Sequence, residues 1–208
     1  MKIGLKSGLL AGLLGLVVTG EAEATMVVIG DVDALNVETR PENLPLIENV
    51  RDGGTDILWL TGGFDFSGDY YTSRYQPLTT EWTGAGATIE GDETTGIAAS
   101  LTGRDLVVFT QFAGEGVRLD AGAVSRLATF LAGGLLFVAQ GTGSDGYSYN
   151  DLLSDLGSEI AFGVAGGGFE TPDIDTSTPY GAGVSDFELN GWYTLSGGTA
   201  VVTKAAGV

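Results

Sequence analysis

Three short apolar runs, each closed off by polar residues or glycine, mark the middle of the chain: residues 57–60 (ILWL), 106–109 (LVVF) and 135–139 (LLFVA). Unbroken apolar residues over four or five positions are the pattern of strands buried on both faces, as in a parallel sheet. The second and third runs flank the clearest helix. Asp120 stands where a cap would accept from the first turn, Val124, Leu127, Ala128 and Leu131 recur at i, i+3, i+4 and i+7, and Gly133-Gly134 ends the pattern. Strand, helix and strand in that order make a βαβ unit with parallel strands. A fainter copy precedes it, with a glycine-rich loop after 57–60, a helix around 75–82 and a short strand near 87–90.

After the third run, 151–156 predicts a short helix and 159–162 a fifth strand. Upstream, 26–29 predicts an edge strand and 44–50 a helix. The sum is an α/β fold with an open, doubly wound, flavodoxin-like, mostly parallel sheet and helices on both faces. Beyond 163 the periodicity lapses into a Gly-, Thr- and Pro-rich loop. Asn190-Gly191, among the alternating residues of 187–195, then predicts a two-residue turn and a C-terminal β-hairpin extension. One more strand is expected at 200–203. No helix follows to cover it, so the chain is expected to be C-terminally incomplete.

The start of the chain has a different pattern. Lys2 and Lys6 precede an apolar stretch over 8–20, and Ala22-Glu23-Ala24 supplies a small-x-small cleavage site. This predicts a signal peptide over 1–24 and a single mature domain over 25–208. The apolar stretch is shorter than the about 20 residues that span a bilayer and is interrupted by Gly8, Gly12 and Gly15, so no membrane span is expected after cleavage. The expected location is periplasmic, extracellular or at the cell surface. Without cysteine, stability must come from burial, for which the remaining 184 of 208 residues suffice.

Charge and composition narrow the chemistry. A net charge of −18 with six scattered arginines excludes nucleic acid and anionic membrane surfaces as partners. There is no histidine and no cysteine, and past the signal the one lysine is Lys204. Most nucleophiles and neutral-pH bases are therefore missing, and carboxylates, hydroxyls and arginine remain.

Residues 105–157 carry a recognisable arrangement: a strand ending in a polar loop, then L-x-x-F-L-x-x-G-G before an apolar strand, a glycine-rich loop, and N-x-L-L-x-x-L-G. It resembles class I glutamine amidotransferase-like, flavodoxin-like domains, including those of exported bacterial proteins with a PEP-CTERM sorting tail; 57–90 fits more loosely. In the catalytic members a nucleophilic cysteine occupies the turn that here reads Gly141-Thr142-Gly143-Ser144, and a histidine follows later. Neither is present, and no sorting tail is either. The resemblance thus implies an exported, non-catalytic domain with a cell-surface or extracellular structural or binding role.

Residues 141–146 (GTGSDG) match G-x-G-x-x-G formally, yet they follow the fourth strand, meet Tyr147-Ser148-Tyr149 where a helix should begin, and have Glu159 at the wrong end of the next strand. A dinucleotide is not expected. In an open parallel sheet ligands bind beyond the carboxyl ends of the strands. The loops there, 61–69, 111–116 and 141–150, would gather Asp65, Asp69, Glu115 and Asp145, with Gln111, Ser144, Tyr147 and Asn150 nearby. Carboxylates beside amide and backbone oxygens suit Ca²⁺ or Mg²⁺, and a neighbouring aromatic suits a sugar, so an extracellular polysaccharide or cell-surface component is the candidate partner. No calcium-loop spacing is met: Asp173-Ile174-Asp175 lacks the glycine and glutamate that should follow. The plainer alternative is a set of solvated loop carboxylates. The catalytic alternative is a carboxylate-based, metal-assisted or metal-free glycan hydrolase, with Asp65 or Asp69 paired to Glu115. Trp59 is expected in the core, and Tyr70, Tyr71 and Tyr75 at the surface.

Overall fold

A strand covered on both faces has no position at which a polar side chain reaches water, and that constraint orders this molecule. The computed structural model describes residues 13–14, 16–19, 26–61, 68–94, 97–110, 119–139 and 146–203. Met26–Ile29 (β1), Asp56–Leu60 (β2), Thr88–Asp92 (β3), Leu106–Phe109 (β4) and Leu135–Ala139 (β5) pair in parallel, in the order β3-β2-β4-β5-β1. Alternate residues face opposite layers. Val27, Ile29, Ile57, Trp59, Val108 and Phe137 pack under Leu44–Arg51 (α1) and Asp69–Gly84 (α2). Val28, Leu58, Leu60, Val107, Phe109 and Val138 pack under Ala121–Phe130 (α3) and Gly146–Asp155 (α4). The doubly wound, mostly parallel α/β sheet read from the sequence is the one observed.

The helices obey their local signals. Asp120 Oδ1 accepts from the Ala123 N–H at 2.7 Å and caps α3, which buries Ala123 and Leu127. On α2, Tyr75, Leu78 and Trp82 recur at helical spacing and are buried. Tyr75, expected at the surface, lies 5.3 Å ring to ring from Trp59, with Trp82 6.0 Å from the same indole. Its i, i+3, i+7 relation to Leu78 and Trp82 sets that inward orientation.

Three expectations are corrected in the second half. The strand expected at 159–162 forms at Ala161–Ala165 (β6) but leaves the parallel sheet, pairing antiparallel with Tyr193–Ser196 (β7). The fifth place in the sheet belongs to β1. All four residues of MVVI are buried, whereas in AFGVA only Phe162 is buried and Val164 is 70% exposed, so β6 suits a one-sided layer. The Asn190-Gly191 turn is not a chain reversal either. Leu189–Asn190 pairs with Phe169–Glu170 and prolongs the β6/β7 ribbon, with Gly191 at φ 71° between the two paired stretches. The antiparallel extension is present, but its return runs through 171–188. The strand expected at 200–203 divides: Thr199–Ala200 pairs with Val17–Val18, and Val202–Thr203 with Asp173–Ile174.

The C-terminal part grips the β1 edge. An edge-to-face series, Phe109–Tyr149, Tyr149–Phe162 and Phe162–Tyr193, ties β4 through α4 to the ribbon. Val184, Phe187, Leu189 and Trp192 join the opposite core. Asn43 donates to the Ala34 and Glu188 carbonyls at 3.1 and 2.9 Å and accepts from Glu188 N–H at 2.7 Å. Asn49 donates to the Tyr180 and Ala182 carbonyls, both at 2.9 Å. Leu16–Thr19 lies antiparallel on the outer edge of β1. Among the described residues, no helix is long and apolar enough to cross a membrane.

Where the ribbon meets β1, Tyr193 N–H donates to Gly30 O at 2.7 Å, and a Cβ on Gly30 would stand 2.3 Å from Tyr193 O. Gly30→Ala should therefore cost about 2–3 kcal/mol in urea unfolding. Gly133→Ala, whose Cβ meets open space, should stay within about 0.5 kcal/mol. Equal effects would contradict this packing.

Candidate functional site

Ligand crevices in open α/β sheets form where neighbouring strands send their connections to opposite faces. β2 leads into α2 on one face, and its neighbour β4 leads toward α3 on the other. That switch point falls between β2 and β4, at Leu60 and Phe109. β2, β4 and β5, the strands that precede the three candidate loops, are consecutive in the sheet.

Asp65, Gln111, Glu115, Ser144 and Asp145 lie outside the described residues. Asp69 is the first residue of α2 and Tyr147 falls in the first turn of α4. Asn150 is engaged elsewhere: its Oδ1 accepts from Phe162 N–H at 2.6 Å and its Nδ2 donates to Phe162 O at 2.9 Å. That reciprocal pair fastens β6 to α4, so Asn150 serves the scaffold.

The strand ends hold a second set of polar side chains. Of the six buried polar residues among those described, Asp31, Thr61, Asp92 and Thr110 all stand at the carboxyl ends of parallel strands, with Arg40 and Asn43 in the segment after β1. Their partners are mostly backbone. Thr110 Oγ1 accepts the Trp59 indole N–H at 2.9 Å, and Thr110 O accepts the Tyr149 hydroxyl at 2.6 Å. Asp92 accepts from Thr94 N–H and Oγ1–H at 2.8 and 2.7 Å and from Ala99 N–H at 2.8 Å. Burial pushes the Asp92 carboxyl up, but these bonds together hold it below the ordinary carboxylate range.

Asp31 has the opposite balance. It accepts from Asp33 N–H at 2.8 Å and from Asn190 N–H at 2.5 Å, across the junction of β1 and the ribbon. Burial outweighs both bonds, the charge of Asp33 adds to it, and Arg40 offsets only part, leaving the carboxyl raised to about 7. Asp33 itself is ion-paired with Arg74.

These carboxylates cannot form a catalytic pair. Asp31 follows β1 and Asp92 ends β3, at opposite edges of the five strands. Four strand spacings put them about 19 Å apart, against the roughly 5–9.5 Å that separates glycosidase carboxyls. Asp65 or Asp69 and Glu115 instead follow adjacent strands. Among the described residues, no group of three or more His, Cys, Asp or Glu could hold a metal ion. Sequence reasoning passed over Asp31 and Asp92, although both follow a glycine that closes a strand, Gly30-Asp31 and Gly91-Asp92. That repeated closure was the available signal.

The fold defines an open, doubly wound α/β domain whose buried polar side chains, among the described residues, gather mostly at the carboxyl ends of the strands. The chain matches no protein-family model, and no curated protein or solved structure matches it.

Because the folded chain holds the Asp31 proton over a range where the unfolded chain, near the ordinary 3.8, has released it, stability should fall as pH rises from about 4 to 7 and level off above. Asp92, Asp105 and Asp175 are lowered, so their contributions are lost only below this window. Urea midpoints from pH 4.5 to 8 should decline in the native protein, with a flatter profile in Asp31→Asn. Parallel profiles would contradict the assignment.

Proposed function

We propose that this chain is an exported, non-catalytic α/β domain that binds a divalent cation or a glycan of the extracellular matrix or cell surface through its strand-end loops. The observation that carries the reading is the consecutive order of β2, β4 and β5. In that order the strands that precede Asp65, Asp69, Glu115 and Asp145 in the chain end side by side. The described polar side chains at the strand ends are already committed to the scaffold, so ligand contacts fall to the loops. Carboxylates and amides there offer hard oxygen donors. Without histidine or cysteine, no side chain with an ordinary pKa near neutrality is present to shuttle protons. The signal-like start supports export. The resemblance of 105–157 to glutamine amidotransferase-like domains supports a scaffold that has lost its catalytic cysteine and histidine.

A hydrolase is the second reading, favoured by one observation: the strands that precede Asp65 or Asp69 and Glu115 in the chain are neighbours in the sheet, and a glycosidase needs two carboxylates close together. Thermal unfolding of the purified protein with Ca²⁺, Mg²⁺ and soluble polysaccharides tests both. A ligand at 100 times its Kd adds about 2.7 kcal/mol of stability. For a domain of this size that raises the melting temperature by roughly 5–10 °C. The shift should vanish in a combined Asp65→Asn, Asp69→Asn, Glu115→Gln variant. No shift with any of these ligands removes the binding reading, and glycan turnover abolished by Glu115→Gln replaces it with the hydrolase.

A further inference from the structure

Leu16–Thr19 is held on both sides. Val17 lies opposite Val28 of β1 and also opposite Ala200; Val18 lies opposite Val27 and also opposite Thr199. The segment is antiparallel to both neighbours, so Thr199–Ala200 runs parallel to β1, in the direction of the whole central sheet. Three segments also share one sequence pattern: LVVT at 16–19, MVVI at 26–29 and AVVT at 200–203.

Resting on the export reading above, we infer that the outer place beside β1 has two successive occupants: the signal's Leu16–Thr19 before processing, and the C-terminal strand, residues 199–203, after it. Loss of 1–24 would strip a ladder from β1, whose four residues are all buried. Edge amides and carbonyls left unmade beside so buried a strand are costly. The C-terminal strand is one place further out and needs a sideways step of about 4.8 Å to reach β1. That step sets Thr199 beside Val27 and Ala200 beside Val28, because each pair already shares a partner. It also conserves the facing: Val201 is buried in the same core as Val27 and Ile29, the side it would keep. Gly197 and Gly198, at φ 79° and 65°, join β7 to this strand and supply a hinge of left-handed backbone. The two-residue pairing of Val202–Thr203 with Asp173–Ile174 is exchanged for a longer one in a six-stranded parallel sheet. Processing thus exchanges a seven-stranded mixed sheet for a six-stranded, wholly parallel one.

Because the chain has no cysteine, a Val28→Cys, Ala200→Cys pair reports this cleanly. Across two strand spacings the Cα atoms stand about 9–10 Å apart, beyond the roughly 7 Å limit for a disulfide. The oxidised precursor should therefore stay uncrosslinked. Protein recovered after export, with an intact mass beginning at Thr25, should form the intramolecular disulfide. Hydrogen exchange on the unsubstituted exported protein should show protected amides at 26–29, with protection lost in a chain ending at Ser196. A mass beginning at Thr25 with no disulfide and exposed 26–29 amides overturns the exchange while leaving export standing. A disulfide linking two molecules overturns it in favour of a second copy at this edge. Exported protein that retains residues 1–24 overturns the signal reading and the exchange together.

Discussion

Burial of the sheet on both faces is the constraint from which the other features descend. With β2, β4 and β5 covered by helix layers above and below, neither parity of side chain can be polar, and the strands read as ILWL, LVVF and LLFVA. Polarity is driven to the strand ends. There Asp31 and Asp92 accept from the backbone of the following turns and of the ribbon, and the Thr110 hydroxyl accepts the Trp59 indole N–H. The described polar groups of the carboxyl edge are thus tied into the scaffold.

The same constraint decides which segments join the sheet. β1 qualifies because MVVI is apolar at every position, although it lies far from β5 in sequence. β6 does not qualify, because Gly163 and Val164 would face a layer they cannot fill. The ribbon of β6 and β7 instead folds over the β1 edge. Its aromatic series and the backbone-seeking amides of Asn43, Asn49 and Asn150 hold it there. Asp31 sits at that junction as a buried carboxyl accepting from both sides, and it links the pH of the surroundings to the grip between the two ends of the chain.

Much of this was legible in local pattern. The three apolar runs, the Asp120-capped helix and the doubly wound class follow from periodicity and capping, which act over a few residues. The place of β1, the departure of β6 and the route of the ribbon were not legible, because each depends on which surfaces remain uncovered after the sheet has formed. Asn190-Gly191 illustrates the limit: the sequence required positive φ at Gly191, which the structure has, but the same backbone serves a break within a paired strand as well as a reversal. The candidate loops were named from topology, and the consecutive order of β2, β4 and β5 is the part of that expectation the fold supplies. Tyr75 was misplaced because two adjacent tyrosines masked the i, i+3, i+7 relation with Leu78 and Trp82.

The central claim is that the rim carboxylates belong to the scaffold and the loop carboxylates to a ligand. Carbon-detected NMR of the Asp and Glu side chains during a Ca²⁺ or polysaccharide titration tests it most directly. The account predicts that Asp65 or Asp69, Glu115 and Asp145 shift together along one saturable curve while Asp31 and Asp92 stay in place. Movement of Asp31 or Asp92 with the ligand, or unsaturable drift spread over all carboxylates, would contradict it.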